Sequence, residues 1–167
     1  MLTSTDLKML TKYKAWADTI FYEAASKLSD QELRQQRPML FGNILSLLNH
    51  VYSMDIVWKS HLEGTPHNLE TRNPDCTGSF TTLRTNQANI NQWYEHYIDS
   101  LAPDKYNEIV NFTFIGGGDG NMKRSEIIQH FVNHASYHRG HIEGVLYQMS
   151  IEPPTTDIPV FLRETQN

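Results

Sequence analysis

The chain has 167 residues, with 14 Lys and Arg against 19 Asp and Glu and a formal net charge of -5. That length suits one domain with a real core and is short for two, so residues 1–167 read as a single domain. The lack of a basic surplus argues against nucleic acid as the main partner, because phosphate binding rests on clustered Lys and Arg.

A single cysteine, Cys76, excludes an intrachain disulfide and a cysteine-built metal site. No apolar run approaches the roughly 20 residues needed to cross a bilayer. Met1 to Lys8 lacks the charged-then-apolar pattern of a secretory signal. The expected setting is the reducing cytoplasm, away from membranes.

Helical periodicity opens at about Asp6 and runs to Leu28, with Leu7, Leu10, Tyr13, Ala17, Ile20 and Ala24 on one stripe. Ser29 and Glu32 stand at capping-box spacing and start a new turn. A second helix is expected from Asn43 to just before Gly64, striped by Ile44, Leu47, Leu48, Val51, Asp55, Trp58 and Leu62. Pro66 to Gly78 is polar and broken, a long surface connection. Ser79 then caps a third helix running to about Leu101, with Phe80, Leu83, Ile90, Trp93, Tyr97 and Leu101 inward.

From Ile109 to Ile115 the apolar residues alternate, a glycine-rich turn follows at Gly116 to Gly120, and Asn121 to Arg124 closes a small β-hairpin. The glycines are not a phosphate loop, since no Lys-Ser/Thr pair follows at the required spacing. Ser125 is expected to cap a fourth helix ending near Ser150, and the tail from Pro153 to Asn167 reads as extended. Four helices of about 20 residues with long connections define an all-α helical bundle carrying a small β-hairpin before its last helix.

The chemistry concentrates in histidine. Of eight His, three stand four residues apart at His130, His134 and His138; random placement would give roughly 0.02 such triples in a chain of this composition. On a helix the three project from one side, about 6 Å apart. The apolar seam Ile127, Phe131, His134, His138, His141, Val145 puts His134 and His138 towards the core and His130 at the edge. Imidazoles buried in a row cannot all be protonated, and a metal ion, for which neutral imidazole is a preferred ligand, resolves their burial. A third ligand must come from a facing helix. His50, His61, His67 and His96 are the candidates, and His50, beside Leu47, Val51 and Met54, is the best placed.

The segment His134-Ala135-Ser136-Tyr137-His138-Arg139-Gly140-His141 resembles the HxxxHRGQ signature of the DinB-like (DinB/YfiT) metal-binding proteins. His50 followed by Asp55 and Trp58 is similar to that family's second-helix pattern, Tyr13 with Trp16-Ala17 to its YxxWA motif, and Pro154 to Glu164 to its usual tail. The resemblance implies a four-helix bundle of up-down-down-up type, a homodimer, and one divalent transition metal (zinc, nickel or iron) on His50, His134 and His138. One position departs: His141 stands where the family has Gln, which assigns it a place beside the ligands.

Three His with no thiolate or carboxylate leave an open coordination position, the pattern of catalytic zinc-type sites. The first reading is therefore a metal-dependent enzyme such as a low-molecular-weight-thiol transferase, thiol use being known in the family. A metal-dependent hydrolase and a non-catalytic metal or small-molecule binding protein are the alternatives. Tyr137, Asp55 and Glu143 are the nearest titratable residues in sequence. Asp55 is a candidate to orient a ligand or pair with Arg139. Arg139 is in turn a candidate for a substrate carboxylate or a structural ion pair, and Gly140 for close helix packing.

Overall fold

In the computed structural model, which describes residues 3–165, six α-helices and one two-stranded sheet follow in the order α1 (Ser4–Ala25), α2 (Asp30–Arg34), α3 (Ile44–Glu63), α4 (Phe80–Ser100), β1 (Ile109–Thr113), β2 (Asp119–Lys123), α5 (Arg124–Gln148) and α6 (Ile158–Thr165). A 3-10 turn, Pro103–Asn107, joins α4 to the hairpin.

Most helix starts are written in the local sequence. The Ser29–Glu32 capping box opens α2, the Asn43 side chain accepts from the Ser46 N–H, and the Ser79 hydroxyl accepts from the Thr82 N–H. Gly64, at φ 69°, ends α3 in the left-handed conformation. Two starts differ from expectation. A Thr3–Asp6 capping box begins α1 earlier than Asp6. At α5 the strand β2 runs straight into the helix, so the first turn takes in Arg124 and Ser125, and the Lys123 N–H donates to Glu126 instead.

In the hairpin, Gly116, Gly117 and Gly118 all have φ near +95°, and they carry a turn that side chains disfavour. Gly120 faces Phe112 across the ladder, where an added Cβ would sit 2.6 Å from the ring. The tail is a correction: Ile158–Thr165 is helical, and Phe161 packs into the core against Tyr13 and Trp16. Gln166 and Asn167 lie outside the described residues.

Helix α1 packs on α4 and α5, and α3 packs on the same two helices; β1 rests on α3 and β2 on α5. Two apolar clusters fill the interior. One contains Leu7, Tyr94, Ile98, Ile127, Phe131 and Phe161, with the Tyr94 and Phe131 rings stacked at 3.7 Å. The other contains Phe21, Leu33, Ile44, Leu47, Leu83 and Leu146. On α4 the buried line is Leu83, Gln87, Ile90, Asn91, Tyr94 and Ile98, whereas Phe80, Trp93 and Tyr97 are only half-buried, so the helix is rotated from its expected facing.

Where the two clusters meet lies a buried polar layer. The fully buried Lys14 ammonium donates to Asp18 at 2.6 Å, Asp55 at 2.9 Å and the Asn91 carbonyl at 2.9 Å. Gln87 donates to Asp55 and Asn91, and Asn91 to Asp18. Arg139 completes the layer, donating to Asp18 at 3.1 Å and to the Tyr13 hydroxyl and Ser136 at 3.0 Å each. The two cations and two carboxylates balance, which is the condition for burying ions at tolerable cost. Asp55 therefore pairs with Lys14, not Arg139, and Arg139 is a structural ion pair. Gly140 is exposed with nothing where a Cβ would stand, so it makes no close helix contact.

A candidate metal centre between two helices

His50 lies one and a half turns into α3, and His134 and His138 occupy successive turns of α5, the helix that packs against it. Burial on α5 falls on Ile127, Ile128, Phe131, Val132, Ala135, His138, Arg139, Ile142, Val145 and Leu146. His138 is thus inward, while His134 and His141 stand at the rim of the buried stripe rather than on it.

The Nε2 atoms of all three rings converge: His138 to His134 is 3.0 Å and His50 to His134 is 3.3 Å. On the far side of His50, Nδ1 lies 2.7 Å from the Arg72 carbonyl oxygen in the connection between α3 and α4. A carbonyl only accepts, so His50 Nδ1 carries the proton and its Nε2 presents a lone pair to the other two rings. At most one ring proton can be shared among the three facing nitrogens before N–H meets N–H. A cation at that point would satisfy all three lone pairs and leave protons on the buried Nδ1 atoms of His134 and His138, which have no hydrogen-bond partner among the described residues. The donor set fits a divalent transition ion, for which neutral imidazole is a preferred ligand.

The electrostatics agree. Burial, then the charges of His138, His50 and other neighbours, holds His134 down to about 3. Burial and the nearby His50 and His141 hold His138 down to about 4. Burial also lowers His50, against the opposing pull of the Arg72 carbonyl. All three rings are neutral at physiological pH, the form that ligates.

His50, His134 and His138 lie with one nitrogen each within 4.8 Å of the others, and among the described residues no carboxylate or thiolate joins them. The other candidates lie elsewhere. His61 packs against Trp58, His67 and Phe112, His96 is exposed, and His130 bridges Trp58 and His134 by ring contacts at 4.9 and 5.7 Å. His141 meets Tyr137 and His138 ring to ring at 4.5 and 5.8 Å, beside the group without entering it. Asp55 is committed to the buried layer and Tyr137 is 59% exposed, so neither supplies a positioned base.

Two contributors had no sequence signal. The Arg72 carbonyl is backbone. Phe41 covers His50 at 4.3 Å between ring centroids, held there by a backbone at φ 62° that an aromatic residue rarely adopts.

Such a chain is a mainly helical protein whose three gathered imidazoles could hold a metal ion. The model of the DinB family matches residues 1–167, and the chain belongs to that family. It is similar to Protein DinB of Bacillus subtilis (strain 168), at 24% identity over 161 residues and 94% of each chain.

Proposed function

We propose that the chain is a metal-dependent enzyme of the thiol-transferase kind, holding one divalent transition ion on His50, His134 and His138. The observation that carries this reading is the convergence of three neutral Nε2 atoms with no carboxylate or thiolate among them, the donor pattern of sites that keep a position open. When bound, the ion supplies a Lewis acid that takes a thiol as its thiolate or polarises a carbonyl. The chain supplies the rest: Arg72 fixes the His50 tautomer, Phe41 shields that ring, and burial keeps His134 and His138 unprotonated. Thiol use is favoured over hydrolysis because no carboxylate joins the three histidines among the described residues, and the buried Asp55 is engaged by Lys14 and Gln87 in the polar layer.

The scaffold is a single four-helix bundle, up-down-down-up. Its support is the order of the clusters along each helix: α1 and α5 run from the Leu7–Phe131 cluster towards the Phe21–Leu146 cluster, and α3 and α4 run the other way. The long α3–α4 connection is what two successive parallel helices require. Among the described residues no helix is long and apolar enough to cross a membrane. A lone cysteine and a thiol-binding centre suit the reducing cytoplasm, and the assembly is a homodimer.

Elemental analysis of untagged protein should find about one transition ion per chain, lost in both His134→Ala and His138→Ala. Cobalt-loaded protein should then gain a sulfur-to-metal charge-transfer band on addition of a small thiol. Wild-type metal content in both variants would overturn the centre; metal without a thiol band would overturn the thiol reading and leave a hydrolase or a binding protein.

A further inference from the structure

Between α2 and α3 the chain forms a small flap, and one of its side chains lies on the gathered histidines. Leu33 before the flap and Asn43 after it are buried, whereas none of residues 34–42 is. The flap is closed on itself by its own backbone. The Arg37 N–H donates to the Gly42 carbonyl at 2.7 Å, the Met39 N–H to the Arg37 carbonyl at 2.8 Å, and the Gly42 N–H to the Met39 carbonyl at 3.0 Å. Further hold comes from Arg37, which donates to the Glu32 carbonyl at 3.5 Å, and from Met39 and Phe41, which pack on the edge of the Phe21–Leu146 cluster. A loop bonded this way can swing on its two ends without losing its internal bonds.

Phe41 is its strained member. At φ 62° the residue is left-handed, a conformation that an aromatic side chain takes only when its surroundings impose it. The ring contact explains the imposition: the Phe41 ring lies 4.3 Å from the His50 ring, at 34° between planes, and 6.2 Å from the His138 ring. Gly42 is left-handed too, at φ 79°, and leads straight into Asn43, the cap of the helix that carries His50. Backbone strain and ring stacking therefore oppose each other. Lifting the ring relaxes the backbone, and seating it on His50 recovers the stack, so the flap has two competing positions.

We propose that the flap Arg37–Gly42 gates the histidine centre, with Phe41 as its movable cover: an ion reaches His50 only while the ring is lifted. The proposal rests on the reading of His50, His134 and His138 as metal ligands. Phe41 has no ligand atom, so its ring governs the rate of exchange and not the affinity. A residue that merely packed His50 in place would behave differently, since its loss would speed release alone and weaken binding.

The test has a metal arm and a metal-free arm, both on the purified full chain. In the first, stopped-flow absorbance follows cobalt(II) entering the apo protein, and then its release into excess chelator, extrapolated to zero chelator. Phe41→Ala should accelerate entry and release alike, each by about tenfold for the loss of one ring stack. Phe41→Tyr keeps the ring and should restore the parent's rates, and Leu40→Ala, at an exposed neighbour, should change neither. Phe41→Gly suits the left-handed backbone and should match Phe41→Ala, which guards against an alanine variant that folds poorly. In the second arm, apo protein is treated with diethyl pyrocarbonate and mapped by peptide mass spectrometry. His50, 6% exposed in the parent, should be modified about tenfold faster in Phe41→Ala and Phe41→Gly, with the exposed His96 as internal standard. The proposal is overturned if His50 labelling stays at the parent's rate, if both cobalt rates are unchanged, or if release alone accelerates. A parent that takes up no cobalt overturns the metal reading instead, and the labelling then decides whether the flap covers the histidines.

Discussion

The Nε2 of His50 faces the Nε2 of His134, whereas His141 meets only His138 of the three, and by ring contact alone. His50→Gln should therefore cost at least about tenfold in metal affinity, while His141→Gln should bind about as tightly as the parent. A competition titration against a coloured chelator compares them; the reverse order would put the ion on one helix. The spacing of the α5 histidines and the choice of His50 were legible because both depend on helical repeat. What was hidden was the degree of burial. The apolar seam passes through His134 and His141, but the buried stripe runs through Ala135, His138 and Arg139, since an ion-paired arginine can be as interior as a leucine.

The same blindness is larger at the level of the helix. On α1 the apolar stripe gave no place to Lys14 or Asp18, yet both are interior, and they become readable only when Asp55 of α3, Asn91 of α4 and Arg139 of α5 are brought to the same level. Asp18 receives both Lys14 and Arg139, and this outweighs burial and lowers its pKa. Asp55 has Lys14 as its one cation, keeps one oxygen unpartnered among the described residues, and is pushed up by burial to about 6. A carboxyl raised from 3.8 in the unfolded chain to about 6 in the folded one binds its proton more tightly when folded. Its contribution to stability is therefore full below about pH 4 and fades as pH rises through 6. Asp55→Asn cannot titrate, so its stability relative to the parent should improve between about pH 4 and pH 7. Urea unfolding of both proteins across that range measures the difference; a gap independent of pH would mean that folding does not raise the Asp55 pKa. The helix α6 was misread for a local reason. The tail beyond Pro153 reads as extended, but Pro159 stands in the first turn of a helix, where its missing N–H costs nothing. Tyr13 and Trp16, noticed as a motif, turn out to hold this tail: Trp16 packs on Phe161, and the Tyr13 hydroxyl donates to the Thr156 carbonyl.

The two apolar clusters pack α1, α3, α4 and α5 together through aliphatic and aromatic side chains alone, so the helices are expected to persist whether or not the three histidines hold an ion. Chelation should lower the melting temperature yet leave the far-UV circular dichroism of a helical protein. A collapse to coil would make the ion a structural staple and remove the case for an open, reactive position. The element that should respond is the connection between α3 and α4, because its Arg72 carbonyl is the acceptor that fixes His50. That oxygen belongs to a peptide bond that trypsin recognises, on an exposed arginine. A protease must draw the carbonyl into its own oxyanion hole, and it can do so only after His50 lets go. The imidazole thus stands guard over a cleavage site, and the rate of nicking after Arg72 is a clock for how long the ring stays seated.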